Sequence, residues 1–183
     1  KVTHDFLEQT TRYWRTWVKN CSVPLLHQHE VIRSALALKL HCFEDTGAIL
    51  AALTTSLPEQ PGGGRNWDYR YCWLRDSAFT LDALIRSGYV DEAKAWRDWL
   101  LRAIGGNPDD LQVMYGIAGE RRLIEYELDW LPGHRGSHPV RVGNAAAGQL
   151  QIDVYGEVVD TLCRAWHHGL EVEQHVWALQ THL

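Results

Sequence analysis

Apolar side chains recur at intervals of three and four residues through most of this chain, and this spacing constrains the fold more than any other feature. Such spacing places apolar residues on one face of an α-helix, where they can be buried together. Glycine, proline and capping residues between the repeats set the helix ends. The sequence therefore predicts an all-α fold, with helices over residues 3–20, 24–42, 45–53, 77–87, 91–104 and 144–167 and a last helix from about residue 171.

The first and the longest predicted helices each have an apolar face that we expect to be buried. The first begins after Thr3, which can cap it. Its expected face consists of Phe6, Thr10, Tyr13, Trp14 and Trp17. The longest helix has a face of Leu150, Val154, Tyr155, Val158, Leu162 and Trp166. In the helix 91–104, Trp96 and Trp99 are three residues apart and should share a buried side.

Two segments carry turn residues in place of helical spacing. Residues 54–64 end in three glycines and predict a flexible turn, and no Lys-Ser/Thr follows to make a phosphate-binding loop. Gly105 and Gly106 end the fifth helix. Residues 107–143 then alternate short strand-like runs with turn residues. We predict a long excursion with a small hairpin at 107–143, and no second domain.

Charge and hydropathy argue against two classes of partner. The 183 residues include 18 basic and 23 acidic side chains, a net charge of −5, whereas nucleic-acid binding usually requires a basic surface. No apolar run approaches the roughly 18 residues of a membrane span, and the N-terminus lacks a secretion signal. Four cysteines lie far apart without a Cys-x-x-Cys pair, which is typical of reduced thiols. We expect a cytoplasmic protein without nucleic-acid or membrane partners.

Residues 66–76 combine four large aromatic side chains with two arginines and two aspartates. The apolar face of a sugar ring stacks on aromatic planes, and its hydroxyls bind charged donors and acceptors held in fixed positions. Arg75 offers a rigid fork of donors, and the adjacent Asp76 offers two acceptor oxygens. This pair can clamp neighbouring hydroxyls. Asp76 can instead cap the following helix, and Arg75 can instead form a surface ion pair with Asp68 or Asp76.

Other chemistry-bearing residues give weaker indications. Glycoside hydrolysis usually needs two carboxylates at a set separation, which the sequence does not define. Candidate carboxylates are Asp68, Asp76, Glu120, Glu125, Glu127, Asp129, Asp153 and Glu157. His134 and His138 have the spacing of metal ligands but lie in a Gly/Pro-rich loop without a nearby cysteine, so we predict no metal site.

Five blocks of the chain together resemble the glucoamylase-like glycoside hydrolases of family 15, which include glucoamylases, glucodextranases and a bacterial and archaeal branch of trehalases. The blocks are residues 65–76 (RNWDYRYCWLRD), 112–120 (QVMYGIAGE), 129–133 (DWLPG), 139–146 (PVRVGNAA) and 149–156 (QLQIDVYG). The first and fourth look more like the trehalase branch than the fungal glucoamylases. Several blocks in the same order are far more specific than any one of them.

The resemblance implies an (α/α)6 barrel and inverting hydrolysis of a terminal α-glucoside, such as trehalose, maltose or a malto- or isomalto-oligosaccharide, without a cofactor. It places Trp73, Arg75 and Asp76 in the subsite for the terminal glucose, with Tyr69 as the stacking aromatic residue. Gln151 and Asp153 are weaker candidates. The family's general acid is a Glu in a later Trp-Glu motif, absent here. We therefore expect residues 1–183 to be the N-terminal half of the barrel, with the catalytic glutamates beyond Leu183.

Two other functions remain open from the sequence. A carbohydrate-binding module could use the aromatic segment without acid–base residues. A helical scaffold for protein partners is also compatible, because a fold does not fix a function.

Overall fold

The computed structural model describes residues 2–104, 109, 111–171 and 173–182. In these residues the chain forms six α-helices and three antiparallel strand pairs, which confirms the helical class. The helices are α1 (Val2–Lys19), α2 (Gln28–Leu40), α3 (Leu74–Arg86), α4 (Val90–Ile104), α5 (Asp153–His167) and α6 (Gln174–His182). The strands are β1 (Cys42–Phe43), β2 (Ala48–Ile49), β3 (Cys72–Trp73), β4 (Met114–Tyr115), β5 (Tyr126–Glu127) and β6 (Arg141–Val142).

The core lies between α3, α4 and α5, and α3 packs most extensively against α5. Trp96 and Trp99 are fully buried on one side of α4, as their spacing predicts. The indole N–H of Trp99 donates to the Ile117 carbonyl at 3.1 Å, so this large side chain is buried without losing its hydrogen bond. Gly88, with φ of 92°, follows α3 and allows the chain to turn directly into α4.

The predicted buried face of α1 is wrong. The helix itself forms, but none of its residues is buried, and Phe6 is 71% exposed. Near its C-terminal end the helix contacts the rest of the protein through Trp17. The Trp17 ring stacks on the Tyr89 ring with their centroids 4.0 Å apart, and the indole N–H of Trp17 donates to Glu92 at 3.0 Å. The aromatic spacing predicts the helix correctly. Burial also requires another element that packs against the helix, and among the described residues such packing is found only near the C-terminal end of α1.

The predicted helix over 45–53 is also wrong, because this region is part of a β-hairpin. Cys42 pairs with Ile49 and Phe43 with Ala48. Gly47 has φ of 87°, and a Cβ there would lie 2.1 Å from the Ala95 carbonyl oxygen. The hairpin therefore approaches α4 so closely that only glycine fits at this position.

Three predicted helix ends differ from the structure. α2 begins at Gln28 and not near Pro24, while α3 begins at Leu74, three residues before its predicted start. The longest predicted helix starts only at Asp153; before it, Ala145–Gly148 form a 3-10 turn and Leu150 is 78% exposed.

The excursion does contain a small hairpin, β5–β6, as predicted. The excursion also contains β4, which pairs with β3, so that Cys72 lies opposite Tyr115 and Trp73 opposite Met114. The excursion is therefore tied to the backbone just before α3. Gly105, Gly106 and the first residues of the excursion lie outside the described residues.

Candidate functional site

Residues 66–76 run from a loop through β3 into α3, so three kinds of backbone position their side chains. Trp73 is the last residue before α3, with extended backbone (φ −69°, ψ 129°). Arg75 and Asp76 are consequently the second and third residues of the helix. There the unpaired N–H groups and the positive end of the helix dipole favour a carboxylate such as that of Asp76.

The carboxylate of Asp68 anchors the aromatic segment. Asp68 is fully buried, and its two oxygens accept from the Arg70 guanidinium, each at 2.9 Å. The backbone N–H groups of Arg70 and Gly143 also donate to it, at 3.1 and 3.2 Å. The side-chain amide of Asn144 donates to the backbone carbonyl of Asp68 at 3.0 Å. The sequence left open an ion pair between Arg75 and Asp68. This alternative is wrong, because the Asp68 carboxylate already accepts hydrogen bonds from Arg70 and from backbone N–H groups.

Arg75 is the centre of a polar cluster that joins α3 to the start of α5. Its Nη1 donates to Asp153 Oδ2 at 3.0 Å and to Gln151 Oε1 at 3.2 Å. Its Nε lies 3.9 Å from Asp76 Oδ2. The structure thus brings four predicted site residues, two of them predicted only weakly, to one place. They come from segments that are more than seventy residues apart.

Asp76 does not cap α3, which corrects the alternative reading of this residue. It lies inside the first turn, and no side chain caps the helix at Trp73. Burial raises the pKa of Asp76, and the nearby Arg75 guanidinium partly opposes this shift. Arg75 and Asp76 side chains are 38% and 44% exposed, so donors and acceptors remain accessible to a ligand. In this arrangement Arg75 can donate hydrogen bonds to the hydroxyl groups of a ligand, and Asp76 can accept hydrogen bonds from them.

Beside this cluster, Tyr69 and Trp73 line a cleft of about 400 Å³, a volume within the usual range of small-molecule sites. Their ring centroids are 5.9 Å apart with planes inclined at 52°. Burial raises the pKa of Tyr69, as does the nearby charge of Glu59, so its hydroxyl stays protonated and can donate. Arg75 and Asp76 lie outside the lining of this cleft.

The sequence analysis assigned no sugar-binding role to several residues of the cleft. Trp67, Glu125, Asn144 and Gln149 line it together with Ala145 and Ala146, and of these only Glu125 had been named, as a candidate carboxylate. Trp67 belongs to the aromatic segment, but nothing in the sequence distinguishes it from its neighbours. Asn144 lies in block 139–146, one of the five that resemble family 15. Membership in that block was the sequence feature that could have indicated this side of the cleft.

Most candidate carboxylates of the excursion have structural partners. Glu120 accepts from the Ala118 N–H at 3.0 Å, and Glu125 from the Ala145 N–H at 3.0 Å. Glu127 lies 3.3 Å from the Arg141 guanidinium. These contacts hold loops in place, and none of the three lies in the Arg75 cluster.

A few general properties bear on the class of site. Among the described residues, no group of three or more His, Cys, Asp or Glu side chains is arranged to hold a metal ion. In the same part of the chain, no helix has the length and apolar character needed to cross a membrane. All four cysteines are free thiols, and burial raises the pKa of Cys72 to about 12.

Comparison with known proteins adds independent support. The chain is 43% identical to a trehalase of Thermoplasma acidophilum over 93% of its length, and 42% identical to a trehalase of Mycobacterium tuberculosis over 94%. It is 44% identical to a trehalase of Mycolicibacterium smegmatis over 86%. It spans only 29%, 26% and 24% of the lengths of these relatives. No solved structure matches significantly.

The family resemblance seen in the five sequence blocks is confirmed. The sequence pattern of glycosyl hydrolases family 15 matches residues 26–183, which includes the aromatic segment, the excursion and α5. The chain belongs to glycosyl hydrolases family 15.

Proposed function

We propose that the full-length protein hydrolyses terminal α-glucosidic bonds with inversion, and that trehalose is its substrate. The observation that carries this proposal is the Arg75 cluster beside the aromatic cleft of Tyr69 and Trp73. It offers stacking faces and a charged donor–acceptor group within one family-15 chain. The choice of trehalose is supported by relatives named trehalase that are 42–44% identical.

Each residue of the cluster has a proposed role. Tyr69 and Trp73 contact the apolar face of the terminal glucose, while Arg75 and Asp76 bind its hydroxyls. Gln151 and Asp153 hold the Arg75 guanidinium in position through their 3.2 and 3.0 Å contacts. A planar guanidinium restrained on one side presents its remaining N–H groups in a fixed direction, which suits recognition of an oriented hydroxyl pair.

The groups that break the bond are proposed to lie outside this chain. We place the general acid and general base, both glutamates, in the residues that follow Leu183, and residues 1–183 in the N-terminal half of an (α/α)6 barrel. The six helices of the described residues and the 24–29% coverage of the relatives support this arrangement. The four free cysteines support a cytoplasmic location.

The test is hydrolysis of trehalose, maltose and isomaltose by the full-length protein. We expect the highest kcat/KM on trehalose. Inversion should release one β-glucose for each α-glucose, as seen by proton NMR before mutarotation, whereas retention would release α-glucose alone. Absence of hydrolysis of all three sugars would contradict the enzymatic function. Binding of trehalose without hydrolysis would instead support the carbohydrate-binding alternative.

A further inference from the structure

Trp67 is a third aromatic wall of the cleft, next to Tyr69 and Trp73. It is only partly buried. The guanidinium carbon of Arg141 lies 4.6 Å from the centroid of its ring, so one face of the indole is covered by a cation. Arg141 is not part of the cleft lining, whereas Trp67 is, so the cation does not occupy the space beside Trp67 that belongs to the cleft.

Arg141 is itself held firmly in place. Its Nη1 donates to the carbonyls of Gly64 and Asn66, at 3.1 and 3.3 Å. Its Nε lies 3.3 Å from Glu125, and its Nη2 lies 3.3 Å from Glu127. The side chain is only 13% exposed. These contacts come from the segment before Trp67 and from two glutamates of the excursion, and together they restrain the plane of the guanidinium.

The backbone of Arg141 is fixed as well. Its N–H donates to the Ser56 hydroxyl at 2.7 Å, and its carbonyl accepts from the Thr55 hydroxyl at 2.7 Å. A ring that lies against such an anchored cation has little freedom to tilt. A stacking surface with a fixed plane binds a ligand without first losing side-chain entropy, and this improves affinity.

We propose that Trp67 is an additional sugar-contacting residue that stacks on the C–H face of a glucosyl ring, and that Arg141 is a positioning residue that holds the indole plane from behind. The ligand class, an α-glucoside, rests on the proposed function. The indole face accepts the weakly positive C–H groups of a pyranose, while polar groups of Gln149 and Glu125 on the same lining can meet its hydroxyls.

The test compares substitutions at Trp67 in the full-length protein. Trp67→Leu keeps an apolar side chain but removes the aromatic face, whereas Trp67→Phe keeps a smaller face. Since an aromatic stacking contact corresponds to a factor of about ten at most, we expect Trp67→Leu to raise KM for trehalose about tenfold and Trp67→Phe about twofold. The kcat of both should remain within about twofold of wild type, because the contact holds the ground state and the transition state alike.

Arg141→Lys tests the positioning role. It keeps the charge but loses the planar contact with the indole, so we expect KM to rise about threefold with kcat nearly unchanged. Arg121→Lys is the matched control, because the Arg121 guanidinium also lies over a ring, that of Tyr115 at 5.6 Å, but outside the cleft. This control should leave KM unchanged. A threefold rise in both variants would overturn the role of Arg141.

Calorimetric titration with trehalose separates this inference from the proposed function. If wild type binds trehalose without hydrolysing it, and Trp67→Leu binds about tenfold more weakly, the enzymatic proposal fails and the role of Trp67 stands. If wild type hydrolyses trehalose, KM is compared in place of Kd, and a folded Trp67→Leu variant with the wild-type KM overturns the role of Trp67 alone. Should Trp67→Leu not fold, KM values of Trp67→Phe and Arg141→Lys equal to that of wild type overturn it.

Discussion

Replacing Asp68 by asparagine should destabilise the protein strongly, although the substitution preserves shape. The wild-type carboxylate accepts four hydrogen bonds: three from Arg70 and one from the Gly143 N–H. An asparagine side chain has a single oxygen, and its NH2 group would face two of these donors. Whichever orientation the amide takes, a backbone N–H loses its acceptor.

The magnitude follows from the burial of each partner. Gly143 and Asp68 are both buried, and a buried donor left without an acceptor costs about 1–3 kcal/mol. Loss of the negative charge weakens the remaining hydrogen bonds by about 1 kcal/mol, because they are no longer charge-assisted. The Arg70 side chain is 43% exposed and can return to water, so it adds little. We expect a loss of about 3 kcal/mol in the free energy of unfolding.

The loss can be measured by urea unfolding of the full-length protein, with hydrogen exchange as a local readout. If the asparagine oxygen faces the Arg70 N–H, the Gly143 amide should lose about a hundredfold of its protection, in line with a loss of about 3 kcal/mol. In the other orientation the Arg70 amide loses protection instead. Asp160→Asn is the control, since Asp160 is 54% exposed and its ion pair with Arg164 is of the i,i+4 type on one helix. It should cost about 0.5 kcal/mol or less. An Asp68→Asn variant as stable as Asp160→Asn would refute the anchoring role.

Replacing Arg75 or Asp76 by alanine in the full-length protein should weaken sugar binding by about 1.5–3 kcal/mol each, since each change removes a charged hydrogen bond, and unchanged kinetics on trehalose in both variants would contradict the clamp. Because burial raises the folded-state pKa of Asp76 above its ordinary 3.8, its ionisation costs stability as the pH rises from that value. Thermal melts should therefore show Asp76→Asn to be more stable than wild type near neutral pH and equal to it near pH 3; a pH-independent difference would argue against this. Residues 1–183 alone should release no glucose from trehalose, and measurable turnover would refute the placement of the catalytic glutamates after Leu183.

Local signals in the sequence were enough to predict that α3, α4 and α5 exist, but not where α3 and α5 begin. The end of α3 at Gly88 and the shared face of Trp96 and Trp99 follow from helix-capping and spacing rules that depend only on neighbours in sequence. The pairing of Arg75 with Asp153 did not follow from such rules. It joins residues 78 apart, and only the packing of α3 against α5 brings them together.

The wrong predictions have physical causes of the same kind. The hairpin near Gly47 has apolar residues at spacings that also suit a helix, and its close approach to α4 decides between them. The aromatic spacing of α1 shows which residues share a face but not whether another element covers them. Trp67 was overlooked because its distinguishing contact, Arg141, is 74 residues away along the chain.

The long separation between partners also sets the order in which the site can form during synthesis. The Asp68 carboxylate and carbonyl reach Gly143 and Asn144 only after about 75 more residues have been added. At a translation rate of roughly 5–20 residues per second, this takes about 4–15 s. During that interval the aromatic side chains of residues 66–76 have left the ribosome without the partners that come later in the chain, such as Arg141 beside Trp67. During synthesis this region can therefore reach its final structure only after the excursion and the start of α5 have left the ribosome.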